Sequence, residues 1–142
     1  MNAMSQKMVV GDYVLSDDLA RCRPYIEDAL QYCNGTHEFE DIVKGIAESK
    51  MQFWPAPRGC MITEIVVYPR KKVLNIFLAG GELDQLKEMN DDMTVWAKSQ
   101  GCTGGTMSGR VGWKKVLEPM NVVKNVQSFK NHQKLKHSPT PI

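Results

Sequence analysis

Two adjacent glycines, Gly80 and Gly81, join an apolar run to a charged amphipathic segment in LNIFLAGGELDQLKEM, residues 74–89. A helix that begins just after them presents backbone N–H donors unused by its own ladder, together with a partial positive charge. Glycine there lets an anion approach closely, so the junction can hold a phosphate. The alternative is a tight strand-to-helix turn and nothing more. Glu64 is the second residue that could do chemistry. It stands in the middle of CMITEIVVYP, an otherwise apolar run, where burial would raise a carboxyl toward the range of a useful base. It reads equally well as a cross-strand partner of Lys71 or Arg70, or as the solvent face of its strand. Arg110, in SGRVGW, can grip a phosphate or carboxylate through two parallel bonds, or bond loop carbonyls or an acid of the second helix. His37, His132 and His137 are scattered and show no metal-binding spacing. Ser108 and Cys102 have no histidine nearby in sequence, so nucleophilic catalysis has no support.

The elements that must position these residues follow from periodicity. Ser16, Asp17 and Asp18 start a helix whose apolar face is Leu19, Tyr25, Ile26, Ala29 and Leu30. Pro24 predicts a break near Arg23, and Asn34-Gly35 ends the region. Thr36 then caps a second helix, with Phe39, Ile42, Val43 and Ile46 at helical spacing and an end near Ser49. MQFWPAPRG, CMITEIVVYP and VLNIFLAG read as three strands of an antiparallel meander. From Glu82 the period turns helical. Leu83, Leu86, Met93, Trp96 and Ala97 form one face, and Asp84, Lys87, Glu88, Asp91, Asp92 and Lys98 the other. Gly101 ends that helix. CTGGTMS follows as a strand expected to lie parallel to 73–79. A short helix with Trp113, Val116 and Leu117, and a last strand in NVVKNVQSF, complete the pattern. The fold class is α+β, or mixed α/β, in the order α-α-β-β-β-α-β-α-β.

The totals agree with one domain. The 142 residues are 42% hydrophobic and 24% charged, ordinary for a globular protein that needs no disulfide staples. Residues 1–15 read as an N-terminal arm, 16–130 as the domain and 131–142 as a basic tail too polar to pack. No segment approaches the roughly 20 apolar residues of a membrane span, and the first residues do not read as a signal peptide. Cys22, Cys33, Cys60 and Cys102 form no CxxC pair and are expected as buried, inert thiols in a reducing compartment. Trp96 and Trp113 read as core, and Trp54 as a residue at a site mouth or a contact with another chain. Charge is uneven. Residues 1–109 hold 11 Lys+Arg against 15 Asp+Glu, and 110–142 hold seven against one. That basic end suits a solvated tail, an acidic partner, a phosphate-bearing ligand or non-specific contact with nucleic acid.

The element order, with a glycine pair heading the long helix, resembles the GNAT superfamily of acyl-CoA-dependent N-acyltransferases over about residues 16–130. More narrowly, MQFWP, ITEIVVYPRKKVLNIFLAGGELDQL, WAKSQGCTGG and GRVGWKKVL resemble small GNAT-like proteins encoded by tailed bacteriophages and prophages. The resemblance implies a central mixed sheet with helices on both faces, split between the strand before the long helix and the strand after it. It implies acetyl-CoA or CoA in that split and no metal. The pyrophosphate would lie on Ala79, Gly80, Gly81, Glu82 and Leu83, with Arg110 close by. Glu64 would be the base, and Tyr68 a substitute for the family's tyrosine acid.

This chain departs from the family pattern in three places. The Gln or Arg that leads the family's loop is missing. Glu82 brings negative charge to the phosphate position, which Lys71, Lys72 and Arg110 could offset. Gly109 to Leu117 has no tyrosine. Two functions therefore stay open. One is a GNAT-like fold kept as a binding or virion-associated component with protein or virion partners. The other is an acetyl-CoA-dependent N-acetyltransferase acting on a primary amine of a protein or small molecule. The resemblance places the chain in the bacterial host cytoplasm, or in the virion if it is a structural component. A homo-oligomer is compatible with either.

Overall fold

The β-branched runs pair in the order their polarity predicts. The computed structural model describes residues 8–107, 127–128 and 139–142. In chain order the elements are β1 (Val9–Val10), β2 (Tyr13–Val14), α1 (Asp17–Leu30), α2 (Phe39–Ala47), β3 (Gln52–Ala56), β4 (Gly59–Val67), β5 (Lys72–Gly81), α3 (Leu83–Ser99), β6 (Gly104–Met107) and β7 (Gln127–Ser128). β1 and β2 form a hairpin, and the others form one sheet in the order β3-β4-β5-β6-β7. The meander β3-β4-β5 is antiparallel, as expected. β6 runs parallel to β5, also as expected, over Val73↔Gly104 to Ile76↔Met107. β7 is antiparallel to β6. The short helix expected at 109–117 and most of the last strand lie outside the described residues.

Each sheet face carries its own core. Leu86, Met89, Met93 and Ala97 of α3 pack with Trp54, Met61, Leu74 and Ile76. Leu19, Cys22 and Ile26 of α1 and Ile42, Val43 and Ile46 of α2 pack with Phe53, Cys60, Ile62 and Leu78 on the other face. Between Ile62 and Thr63 the register slips, because Ile62 opposes Leu78 and Thr63 opposes Ile76. Phe77 is the extra residue of a bulge.

Four local expectations are corrected. Pro24 does not break α1, which runs unbroken from Asp17 to Leu30. Pro24 is exposed, and a mid-helix proline costs about 3 kcal/mol. Four buried side chains on the opposite face, Leu19, Cys22, Ile26 and Ala29, outweigh it, since a fully buried Leu or Ile alone contributes about 1.5–3 kcal/mol. Thr36 does not cap α2. Its hydroxyl meets His37 Nδ1 at 2.7 Å, and the Glu38 amide is held by Asp41 Oδ2 at 2.9 Å in a reciprocal capping arrangement. Residues 9–14, read as part of an N-terminal arm, form a hairpin, with Val10 and Tyr13 packed on the α1–α2 core. Asp92, assigned to the solvent face of α3, is buried.

Residues 139–142, read as part of a basic tail too polar to pack, do make contacts. Thr140 bridges Phe53 of the edge strand β3, and Ile142 packs against the α1–α2 core.

Candidate functional site

The end of β5 carries the glycine pair, and the fold explains both glycines through packing. β4 and β5 stay paired to the last residue, Gly59↔Gly81. A Cβ on Gly80 would lie 2.6 Å from the carbonyl oxygen of Tyr25 in α1. Gly81 has φ +110, and a Cβ there would lie 2.3 Å from Gly59 Cα and 2.4 Å from the Arg58 carbonyl. Ala79 is buried in the α3-side core. The pair is therefore a strand end pressed between α1 and the β3–β4 turn, where only hydrogen fits.

The head of α3 is tied to the same turn. The Glu82 amide donates to the Arg58 carbonyl at 2.9 Å, and Arg58 Nη1 meets Glu82 Oε1 at 3.1 Å, both side chains about half exposed. The Arg58 amide donates to Oε1 of the buried Gln85 at 3.3 Å. The helix's own ladder begins with the Gln85 and Leu86 amides on the Glu82 carbonyl. The amides of Leu83 and Asp84 are the first-turn donors this ladder leaves over. Lys71 and Lys72, named as possible balances for Glu82, stand at the far end of β5, where Lys72 Nζ holds the Gln100 carbonyl at the close of α3 at 2.6 Å. Arg110 lies outside the described residues. The cation that does meet Glu82, Arg58, escaped sequence reasoning. The signal was the two-residue turn Pro57-Arg58, because antiparallel pairing on both sides of β4 brings that turn to the end of β5.

Glu64 joins a polar chain across three strands. It is half-buried and opposes Asn75. Asn75 Nδ2 donates to Glu64 Oε2 at 3.0 Å, and Thr106 Oγ1 donates to Asn75 Oδ1 at 2.8 Å. Its cross-strand neighbour is thus Asn75, not Lys71 or Arg70. This chain crosses β4, β5 and β6 where β6 pairs with β5, and β5 continues past that pairing toward Gly81. From Asn75 to Gly80 is roughly 17 Å along an extended strand.

Tyr68 is not brought to either place. It is exposed in the β4–β5 turn, where its amide donates to the Lys71 carbonyl at 2.7 Å. The whole of β5, roughly 30 Å of strand, separates it from Glu82. Trp54, expected at a site mouth or in an interchain contact, is fully buried. Its ring meets Trp96 edge-on at 5.7 Å, and its indole N–H donates to Thr63 Oγ1 at 2.9 Å, the partner a buried tryptophan needs.

Three of the four thiols are buried and Cys33 is not. Cys60 is pushed well above the ordinary thiol range by its hydrogen bond with Cys22 and by burial. Burial also raises Cys102, with Lys72 opposing it. Burial acts upward on Cys33 too, but bonds from the Thr36 hydroxyl and the backbone of residues 35–37 outweigh it and leave that thiol lowered. Among the described residues no three His, Cys, Asp or Glu side chains gather as a metal site, and no helix is long and apolar enough to cross a membrane.

No family model, no curated protein and no solved structure matches the chain.

Proposed function

We propose that this chain is a GNAT-like fold serving as a binding or virion-associated component, rather than an efficient acyl-CoA-dependent transferase. The observation that carries the reading is at Gly80–Glu82. The glycines are consumed by backbone packing, and the amide and carboxylate of Glu82 are both engaged by Arg58. A pyrophosphate arriving there would meet a carboxylate, and it would have to compete with that residue's own arginine. The GNAT-like part rests on the antiparallel meander, the parallel β6 after α3 and the separate cores on the two sheet faces.

One observation favours the second reading, an acetyl-CoA-dependent N-acetyltransferase. The Thr106–Asn75–Glu64 chain orients a half-buried carboxylate at a distance from Gly80 that an extended pantetheine arm covers. In that reading Glu64 takes the proton of an acceptor amine, and the Leu83 and Asp84 amides hold phosphate.

Calorimetry with acetyl-CoA separates the two. Leu83→Pro is the informative variant, because proline is tolerated at the first helical position and removes the Leu83 N–H, one of the two amides in question. Glu82 before it is already extended, φ −79 and ψ 136, as the residue preceding a proline must be. The proposal expects no binding heat with either protein at millimolar ligand. Micromolar binding by the wild type overturns it, and loss of that binding in Leu83→Pro locates the phosphate at the head of α3.

A further inference from the structure

The outer edge of β3 is almost sealed by its own chemistry, and one position is left to be read. The Met51 amide is taken by the Gly45 carbonyl at 3.0 Å. The Phe53 carbonyl points away from β4 and accepts the Thr140 amide at 2.8 Å. Pro55, two residues on and facing the same way by the strand period, has no N–H to offer. An edge closed at both ends cannot pair with a long strand. It can take a short one, and the segment Pro139-Thr140-Pro141-Ile142 is seated there: Thr140 supplies the antiparallel bridge and Ile142 reaches the α1–α2 core. The prolines on either side of Thr140 limit the segment to one backbone donor at the bridge and stiffen it in an extended form.

The segment forms one wall of an open groove of about 710 Å³ beside the sheet edge, between the two helical layers. Tyr13, Ile46 and Met51 wall it from the α2 side, and Trp96 and Gln100 from the α3 side. Backbone pairing at an edge with an adjacent apolar slot is a recurring way to recognise an extended peptide.

We propose that this edge and the groove beside it form a peptide-recognition site for a protein partner, its edge position at Phe53 taken within the molecule by residues 139–142, whose pattern the partner presents. That pattern is an extended peptide with a single backbone donor between two prolines and an aliphatic side chain two residues after the donor. Residues 139–142 then act as a competitor held close by the intervening chain, so a partner engages only when it outbinds them or they are released. The proposal does not depend on whether the fold binds acetyl-CoA.

The test uses the full chain and a fluorescent peptide spanning residues 137–142, followed by anisotropy. In Ile142→Asp the internal segment loses its apolar anchor, and the peptide is expected to bind at least about tenfold more tightly than to wild type, a difference of about 1.4 kcal/mol. The peptide carrying Thr140→Pro, which lacks the bridging donor, is expected not to bind either protein. Equal binding of the peptide to wild type and Ile142→Asp, no binding to Ile142→Asp while its circular dichroism is native, or equal binding of the Thr140→Pro peptide would each overturn the proposal. So would a wild-type dimer that dissociates in Ile142→Asp, since the occupant would then be a second copy's segment.

Discussion

The two stretches of β5 that could carry chemistry are built on opposite principles. At Gly80–Glu82 the special features are spent on neighbours: α1 presses on one glycine, the β3–β4 turn presses on the other, and Arg58 holds Glu82 through its carbonyl and its guanidinium. At Asn75 the strand makes room for side chains, and a bulge at Phe77 separates the two regimes. There the polar groups Thr106, Asn75 and Glu64 satisfy one another in sequence, with the carboxylate at the end. A glycine pair before a helix therefore says only that something comes close. Here backbone does, and the carboxylate of Glu64, oriented from the neighbouring strand β4 by Asn75, is the feature packing does not demand.

The sharpest way to break this contrast is Gly81→Ala. The added methyl meets Gly59 and Arg58 backbone at a positive φ. Strain and overpacking together should cost about 2–5 kcal/mol in urea denaturation. A loss under about 1 kcal/mol would mean the strand end is loose enough to be a ligand cradle. Asn75→Ala comes next. It leaves the partly buried Glu64 and Thr106 groups without their shared partner, at an expected cost of about 1–3 kcal/mol. Asn75→Asp should be at least as damaging, because it sets two carboxylates side by side. Arg58→Ala should cost less than about 1 kcal/mol, since both partners of that ion pair are about half exposed and screened by water. A much larger loss would show that Arg58 fixes the turn and does not merely balance Glu82. The mildest test leaves stability unchanged. Cys33 should be the first thiol alkylated by iodoacetamide, with a rate that rises with pH through a midpoint below the ordinary thiol value of 9.0. Cys22, Cys60 and Cys102 should react only on unfolding.

Strands β3, β4 and β5, their antiparallel order, and the parallel β6 after α3 were legible because each rests on local pattern plus a rule of connection. The β-branched CMITEIVVYP can hardly do other than pair, and a strand–helix–strand unit returns parallel. The hairpin at 9–14 was equally local, with Gly11-Asp12 between Val-Val and Tyr-Val, but a short run at the start of the chain reads as an arm. The errors came where tertiary contact overrides local preference. Pro24 breaks a helix only when packing does not hold both halves, and Thr36 caps one only when no acid pair a few residues on does it better. Glu64 stood out in the sequence as a carboxylate in an apolar run, but its partners did not, because the alignment of Asn75 and Thr106 depends on a register shifted by one bulged residue. Arg58 was hidden for the same reason, being distant from Glu82 in sequence and adjacent only after two strands fold back. The docking of Thr140 on Phe53 has no periodic signal at all.

The central claim is that Gly80–Glu82, leading into α3, is taken up by the protein's own contacts. Amide chemical shifts test it without waiting for turnover, with acetyl-CoA titrated into uniformly ¹⁵N-labelled protein and the resonances of Glu82, Leu83 and Asp84 followed. The account predicts that all three stay in place at millimolar ligand. Saturable shifts of Leu83 and Asp84, with the Glu82 amide released from the Arg58 carbonyl, would contradict it.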